Sequence, residues 1–190
     1  MVTEDKINLL ARVAKNHSPV ANGKPVSILA LAAASYGSQP EGDSTVPTGF
    51  DPAAAQLFES IVEGAYLVAN ADGVFDAEER KTFERVVSVA CGGAVLPRHI
   101  EELVGDLKGQ LEEDGLERRI AQLAAPIVKP EHAQEVLRIA ALLAQTSDDV
   151  SAVERKVLEG LATACKLGEG AVDEALREVK EALARSNTPA

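Results

Sequence analysis

Proline and glycine punctuate the second part of this 190-residue chain in one consistent order. Asp51-Pro52, Pro97 and Pro130 open stretches of helical apolar periodicity, and Gly92-Gly93 and Gly115 close them. Proline fits the first helical position, where its missing N–H costs nothing, and glycine fits the position just past a helix end. A chain punctuated this way is a succession of helices. The spacing predicts them over 51–70, 76–91, 97–115, 116–128, 130–146, 151–166 and 171–185. Composition agrees: alanine and leucine dominate, aromatics make up only 3%, and there is no Trp. Such a chain favours packed helices over sheets. The expected fold class is all-α.

Two further helices are expected upstream. In 3–15, Ile7, Leu10, Val13 and Ala14 recur at helical spacing, and Thr3 can cap the start. Residues 26–36 are apolar all round, so that helix must be buried, either in its own fold or at an interface. Residues 37–52, rich in Gly, Pro, Ser and Asp, read as a linker or long loop. Residues 1–50 carry four basic and four acidic side chains, so the whole acidic excess lies beyond them. The expected organisation is an N-terminal helical extension and linker over 1–50 and a domain of about seven helices over 51–190.

The net charge of −11 argues against binding a nucleic-acid backbone, which needs clustered Lys and Arg. It suits a cation or a basic partner. The acidic start MVTEDK is no signal peptide, and the longest apolar run, 26–34, is too short to span a bilayer. A soluble cytoplasmic protein is the expectation. Cys91 and Cys165 form no CxxC and read as reduced, buried thiols. His17, His99 and His132 share no spacing with them, so no zinc constellation is expected. No nucleophile elbow, Walker A motif or dinucleotide fingerprint occurs. Glu101-Glu102 and Glu112-Glu113-Asp114 read as solvated faces.

An internal repeat organises the helical region. AYLVANADGVFDAEERKTF at 65–83 resembles AALLAQTSDDVSAVERKVL at 140–158, an offset of 75. Glu79-Arg80-Lys81 falls on Glu154-Arg155-Lys156. Two related, pseudo-symmetric helical halves follow. Both copies hold a capping box, Asp76-x-x-Glu79 and Ser151-x-x-Glu154, in which the short side chain and the Glu satisfy each other's backbone N–H groups. Gly73 suits a position of positive φ.

Asp72 is not covered by that account, because an anion at a helix C-terminus faces the negative end of the dipole. Asp72, Asp76, Glu78 and Glu79 also crowd four acids into eight residues. A divalent cation relieves both problems, and carboxylates favour a hard ion of the Ca²⁺ or Mg²⁺ class. The match to an EF-hand loop is partial, since its first ligand position falls on Val68. In the second copy Ser147 and Asp148 stand where Asp72 and Gly73 stand in the first.

The run Ala69-Asn70-Ala71-Asp72-Gly73-Val74-Phe75-Asp76-Ala77-Glu78-Glu79, paired with Ser147-Asp148-Asp149-Val150-Ser151-Ala152-Val153-Glu154, resembles the TerB-like family of tellurite-resistance proteins over roughly 55–185. The resemblance implies a compact all-α domain of two halves, no enzymatic activity, divalent-metal binding and a setting in tellurite or stress response. Carried over by position, Asp72 and Glu79 match the acidic motif in the first half and Glu154 in the second. The metal expectation names Asp72, Asp76 and Glu79, with Glu154 facing them across the pseudo-two-fold. The alternative is a metal-independent protein-interaction module of the same fold, with room for a homo-oligomer. Convergence of the carboxylates in space separates the two.

Overall fold

The structure, a computed structural model, describes residues 3–16, 20–21, 24–25, 27–40, 49–145 and 150–186. It is all-helical apart from one short ladder. The helices are α1 (Glu4–Asn16), α2 (Ile28–Tyr36), α3 (Pro52–Ala69), α4 (Ala77–Cys91), α5 (Pro97–Asp114), α6 (Leu116–Ala124), α7 (Pro130–Ala144), α8 (Ala152–Ala164) and α9 (Ala171–Ser186). Between α1 and α2, β1 (Val20–Ala21) pairs antiparallel with β2 (Lys24–Pro25), with Val20 opposite Pro25. Two residues per strand are too few to show an alternation in sequence. No helix among the described residues is long and apolar enough to cross a membrane.

The punctuation acts as expected at most ends. Asp51 caps α3 by accepting from Ala53 and Ala54 N–H, with Pro52 at the first helical position. Both capping boxes form. One end differs: α6 stops at Ala124 rather than near residue 128. Pro126 is the reason, since proline disfavours helical backbone in the residue before it and brings no N–H of its own. The expected end of α7 at Thr146, and Ser147, Asp148 and Asp149 of the second repeat, lie outside the described residues.

The centre is α3 against α7. Residues 60–68 of α3 and 135–144 of α7 are buried without interruption. Close approach needs Gly64: a Cβ there would lie 3.0 Å from Val136 Cγ1. Around this pair α2, α5, α6 and α8 pack on α3, and α1, α8 and α9 pack on α7. Residues of α1 and α2 belong to the same hydrophobic cluster as the rest. Cys91 and Cys165 are free and buried. Burial pushes the Cys91 thiol up to about 12.

Charged residues sit inside this centre, each with a partner. Arg138 of α7 makes a forked pair with Glu135, Nε to Oε2 at 2.8 Å and Nη2 to Oε1 at 3.0 Å. The same guanidinium donates to the carbonyls of Ala14 at 2.9 Å and Val13 at 3.3 Å, in the last turn of α1. Carbonyls in the last turn of a helix are short of donors within it, and Arg138 supplies donors to the end of α1. In α3, Glu63 takes Arg119 of α6 at 2.7 Å, and Ser60 donates to the carbonyl of Leu123. Ser60 and Glu63 stand 75 residues before Glu135 and Arg138, the offset of the repeat. Each central helix therefore uses the same two positions to hold a helix from elsewhere in the chain, α3 holding α6 and α7 holding α1. The neighbours repeat as well: α1 packs on α4, α7 and α9, and α6 packs on α8, α3 and α5.

Glu59, half-buried beside Glu63, has no cation paired with it among the described residues. Burial and then the Glu63 carboxylate raise its pKa. A raised folded-state pKa gives stability that is present below the ordinary carboxylate range and lost as pH rises toward neutrality. Glu59→Gln is therefore expected to raise the urea midpoint at neutral pH and to leave it unchanged at acidic pH. Arg138→Met strands a buried carboxylate and is expected to cost about 3–5 kcal/mol in urea denaturation. Adding Glu135→Leu should return part of that loss and leave the share due to the α1 carbonyls.

Candidate functional site

The loop between α3 and α4 is built from short-range bonds. Asn70 ends α3: its N–H donates to the Tyr66 carbonyl at 2.9 Å, and the N–H of Ala71 donates to the Val68 carbonyl at 3.1 Å. The N–H of Gly73 donates to the Asn70 carbonyl at 3.0 Å, and Gly73 takes φ +78°. A side chain there meets no clash but an unfavourable backbone. Asp72 Oδ1 then accepts from Val74 N–H at 2.9 Å. An aspartate bonded to the backbone two residues on is a turn-former in its own right. This gives Asp72 the local role that the dipole argument withheld from it.

The other acids are equally engaged. Asp76 Oδ1 accepts from Glu78 and Glu79 N–H, both at 2.8 Å, and Glu79 Oε2 accepts from Asp76 N–H at 3.0 Å. Glu154 closes the second box, accepting from Ser151 N–H at 2.7 Å. So the structure joins Asp76 to Glu79 through backbone groups. It places Asp72 in the turn ahead of them and Glu154 at the start of a different helix, α8. No group of three or more His, Cys, Asp or Glu converges to hold a metal ion among the described residues. Burial, then Lys129, lowers the pKa of His132; His17 lies outside the described residues.

Beneath the loop is an aromatic triad. Phe75 meets Tyr66 with ring centroids 5.3 Å apart at 87° and Phe83 at 5.9 Å and 84°, while Tyr66 and Phe83 lie 6.3 Å apart at 80°. Edge-to-face pairs of this kind add stability beyond their buried area. The chain has only four Phe and two Tyr, so half of its rings are gathered here. The sequence reading passed over the triad, although rings 8 to 17 residues apart in so aromatic-poor a chain are the signal for it.

Two rings of the triad, Tyr66 and Phe75, floor a groove of about 650 Å³ between the loop, α4 and α5. Tyr66, Phe75, Val104 and Leu111 form its apolar base, and Asp76, Arg80, Lys108 and Glu112 stand on its rim. Arg80 braces the wall, pairing with Glu84 at 2.6 Å and donating to the Glu101 carbonyl of α5 at 3.1 Å. In the second copy Arg155 makes the matching brace, to Glu159 at 3.2 Å and to Asp173 of α9 at 2.5 Å. Burial, then the Glu112 carboxylate, raises the pKa of the Tyr66 phenol. Comparison with protein-family models, with curated proteins and with solved structures finds no match.

The local bonds predict a graded response in urea denaturation. Asp76→Ala should lose about 1 kcal/mol as a helix cap. Gly73→Ala should lose about 1–2 kcal/mol from its left-handed backbone. Asp72→Asn, which keeps an acceptor for Val74, should change stability by less than about 0.5 kcal/mol.

Proposed function

We propose that the protein is a metal-independent, non-enzymatic interaction module of TerB-like type, docking a protein segment in the groove beside the Asp-Gly loop. The observation that carries this reading is the combination of an open apolar base with a rim of both charges. Such a groove seats an amphipathic segment, whose apolar side chain covers Phe75 and Leu111 while its charged flank meets Lys108 and Glu112. The carboxylates that a metal would need are engaged in turn and capping bonds. The net charge of −11 favours a basic partner through long-range steering. The resemblance to the TerB-like family points to a stress-response setting for the partner.

The rings at the groove belong to one half of the repeat alone. Ala141, Val150 and Leu158 stand where the first copy has Tyr66, Phe75 and Phe83. A module that uses one half for docking leaves the other free to hold the fold.

The test has two arms. Metal-stripped protein is melted with and without millimolar Ca²⁺, Mg²⁺ or Mn²⁺; the midpoint is expected to stay where it is. A site filled at a hundred times its dissociation constant would add about 2.7 kcal/mol and several degrees. Such a shift, lost in Asp72→Asn, would overturn the reading in favour of a metal site. In the second arm, proteins cross-linked to the wild type in the native cell are compared with those cross-linked to Lys108→Glu/Glu112→Lys. A partner captured by the first and lost by the second, with equal melting midpoints, is the expected result.

A further inference from the structure

The helix that reads as apolar all round is only half covered. α2 buries Leu29, Ala32 and Ala33 and turns Ala30, Leu31 and Ala34 outward, leaving Leu31 59% exposed. Residues 26–40 hold no charged side chain, in a chain of net charge −11. Leu31 edges an apolar groove of about 360 Å³ between α2, the first turns of α3 and the segment 126–129. Val128, 85% exposed, stands on the same groove. Six large apolar side chains are exposed among the described residues, and these are the two that share a groove.

We infer that this face is a homodimer interface, in which two copies meet across a two-fold axis and each seats Leu31 in the groove of the other. A two-fold interface must be complementary to itself, so knob and hole have to lie on one patch. They do here: Leu31 and Val128 protrude, and Ile28, Leu57 and Ile127 line the hollow beside them. His132, its pKa lowered by burial and then by Lys129, lines the groove as well, and the rim carries Asp51 and Lys129. A two-fold axis turns these into two reciprocal attractions. Elsewhere two such acidic copies repel, so the uncharged face is where they can approach. The argument is independent of the groove at the Asp-Gly loop, which lies among other residues.

Sedimentation velocity of the full chain over a wide concentration range tests the inference. The wild type is expected as a particle of twice the monomer mass. Leu31→Asp and Val128→Asp are expected as monomers with unchanged melting midpoints, since both side chains are already exposed. Lys129→Glu should weaken the dimer, and more so at low salt, because it sets like charges against Asp51. A wild type that is monomeric at every concentration would overturn the inference and leave the face to a different partner. Dimers that persist in Leu31→Asp would overturn it as well. Should Leu31→Asp not fold, Val128→Asp decides in the same way.

Discussion

The contact between α3 and α7 is the constraint on which the other helices depend. Two helices buried over nine or more consecutive residues cannot both face water anywhere along those stretches. They must be surrounded, and α1, α2, α5, α6, α8 and α9 pack on one or the other. Gly64 shows how closely the pair is drawn. Alanine at that position would favour the helix itself by about 1 kcal/mol. Yet its Cβ would press on Val136, so the packing distance overrides local propensity. The polar groups along this seam decide which neighbour sits where. An apolar surface accepts any apolar helix, whereas a buried carboxylate accepts a helix that brings it a cation. Glu63 selects α6 through Arg119, and Arg138 selects the end of α1 through its carbonyls.

That selection was the part of the fold hardest to read from sequence. Helix boundaries were legible because Pro52, Pro97, Pro130, Gly92 and Gly115 act within a residue or two of where they stand. The capping boxes were legible for the same reason. Glu135 and Arg138 look like an ordinary surface pair three residues apart on a helix, and nothing local distinguishes them from Lys81 and Glu78, which are exposed. The pairing of Glu63 with Arg119 spans 56 residues and two intervening helices, α4 and α5. Burial of such charges is a property of the assembled core, so it has no one-dimensional trace. The offset of 75 held a trace of it all the same, since Ser60 and Glu63 occupy the positions of Glu135 and Arg138.

Asp72 has a local bond that a charge argument leaves out. Weighing it against the helix dipole treats its charge as its only property. The side chain is also a short acceptor, placed one residue before a glycine that turns the chain, and the N–H of Val74 lies within its reach. Crowded acids around a loop are not a cage until their oxygens point inward to one centre at 2.3–2.6 Å from an ion. A capping box works against that convergence, because it bends Glu79 back toward the backbone of Asp76.

The repeat separates what the loop does for the fold from what it adds. A feature present in both copies serves the fold: the box at 76–79 and at 151–154 starts α4 and α8, and the brace of Arg80 and Arg155 joins them to α5 and α9. A feature present in one copy serves something local. The rings of Tyr66, Phe75 and Phe83 have aliphatic residues at the matching positions, and those keep the second half packed without any ring. Folding by itself therefore does not require the triad. Rings add a broad, rigid surface at small cost in side-chain entropy, which is what a docking groove needs and a capped turn does not. The asymmetry of the aromatic residues, more than the acidity of the loop, is what sets the first half of the chain apart and supports the docking groove proposed there.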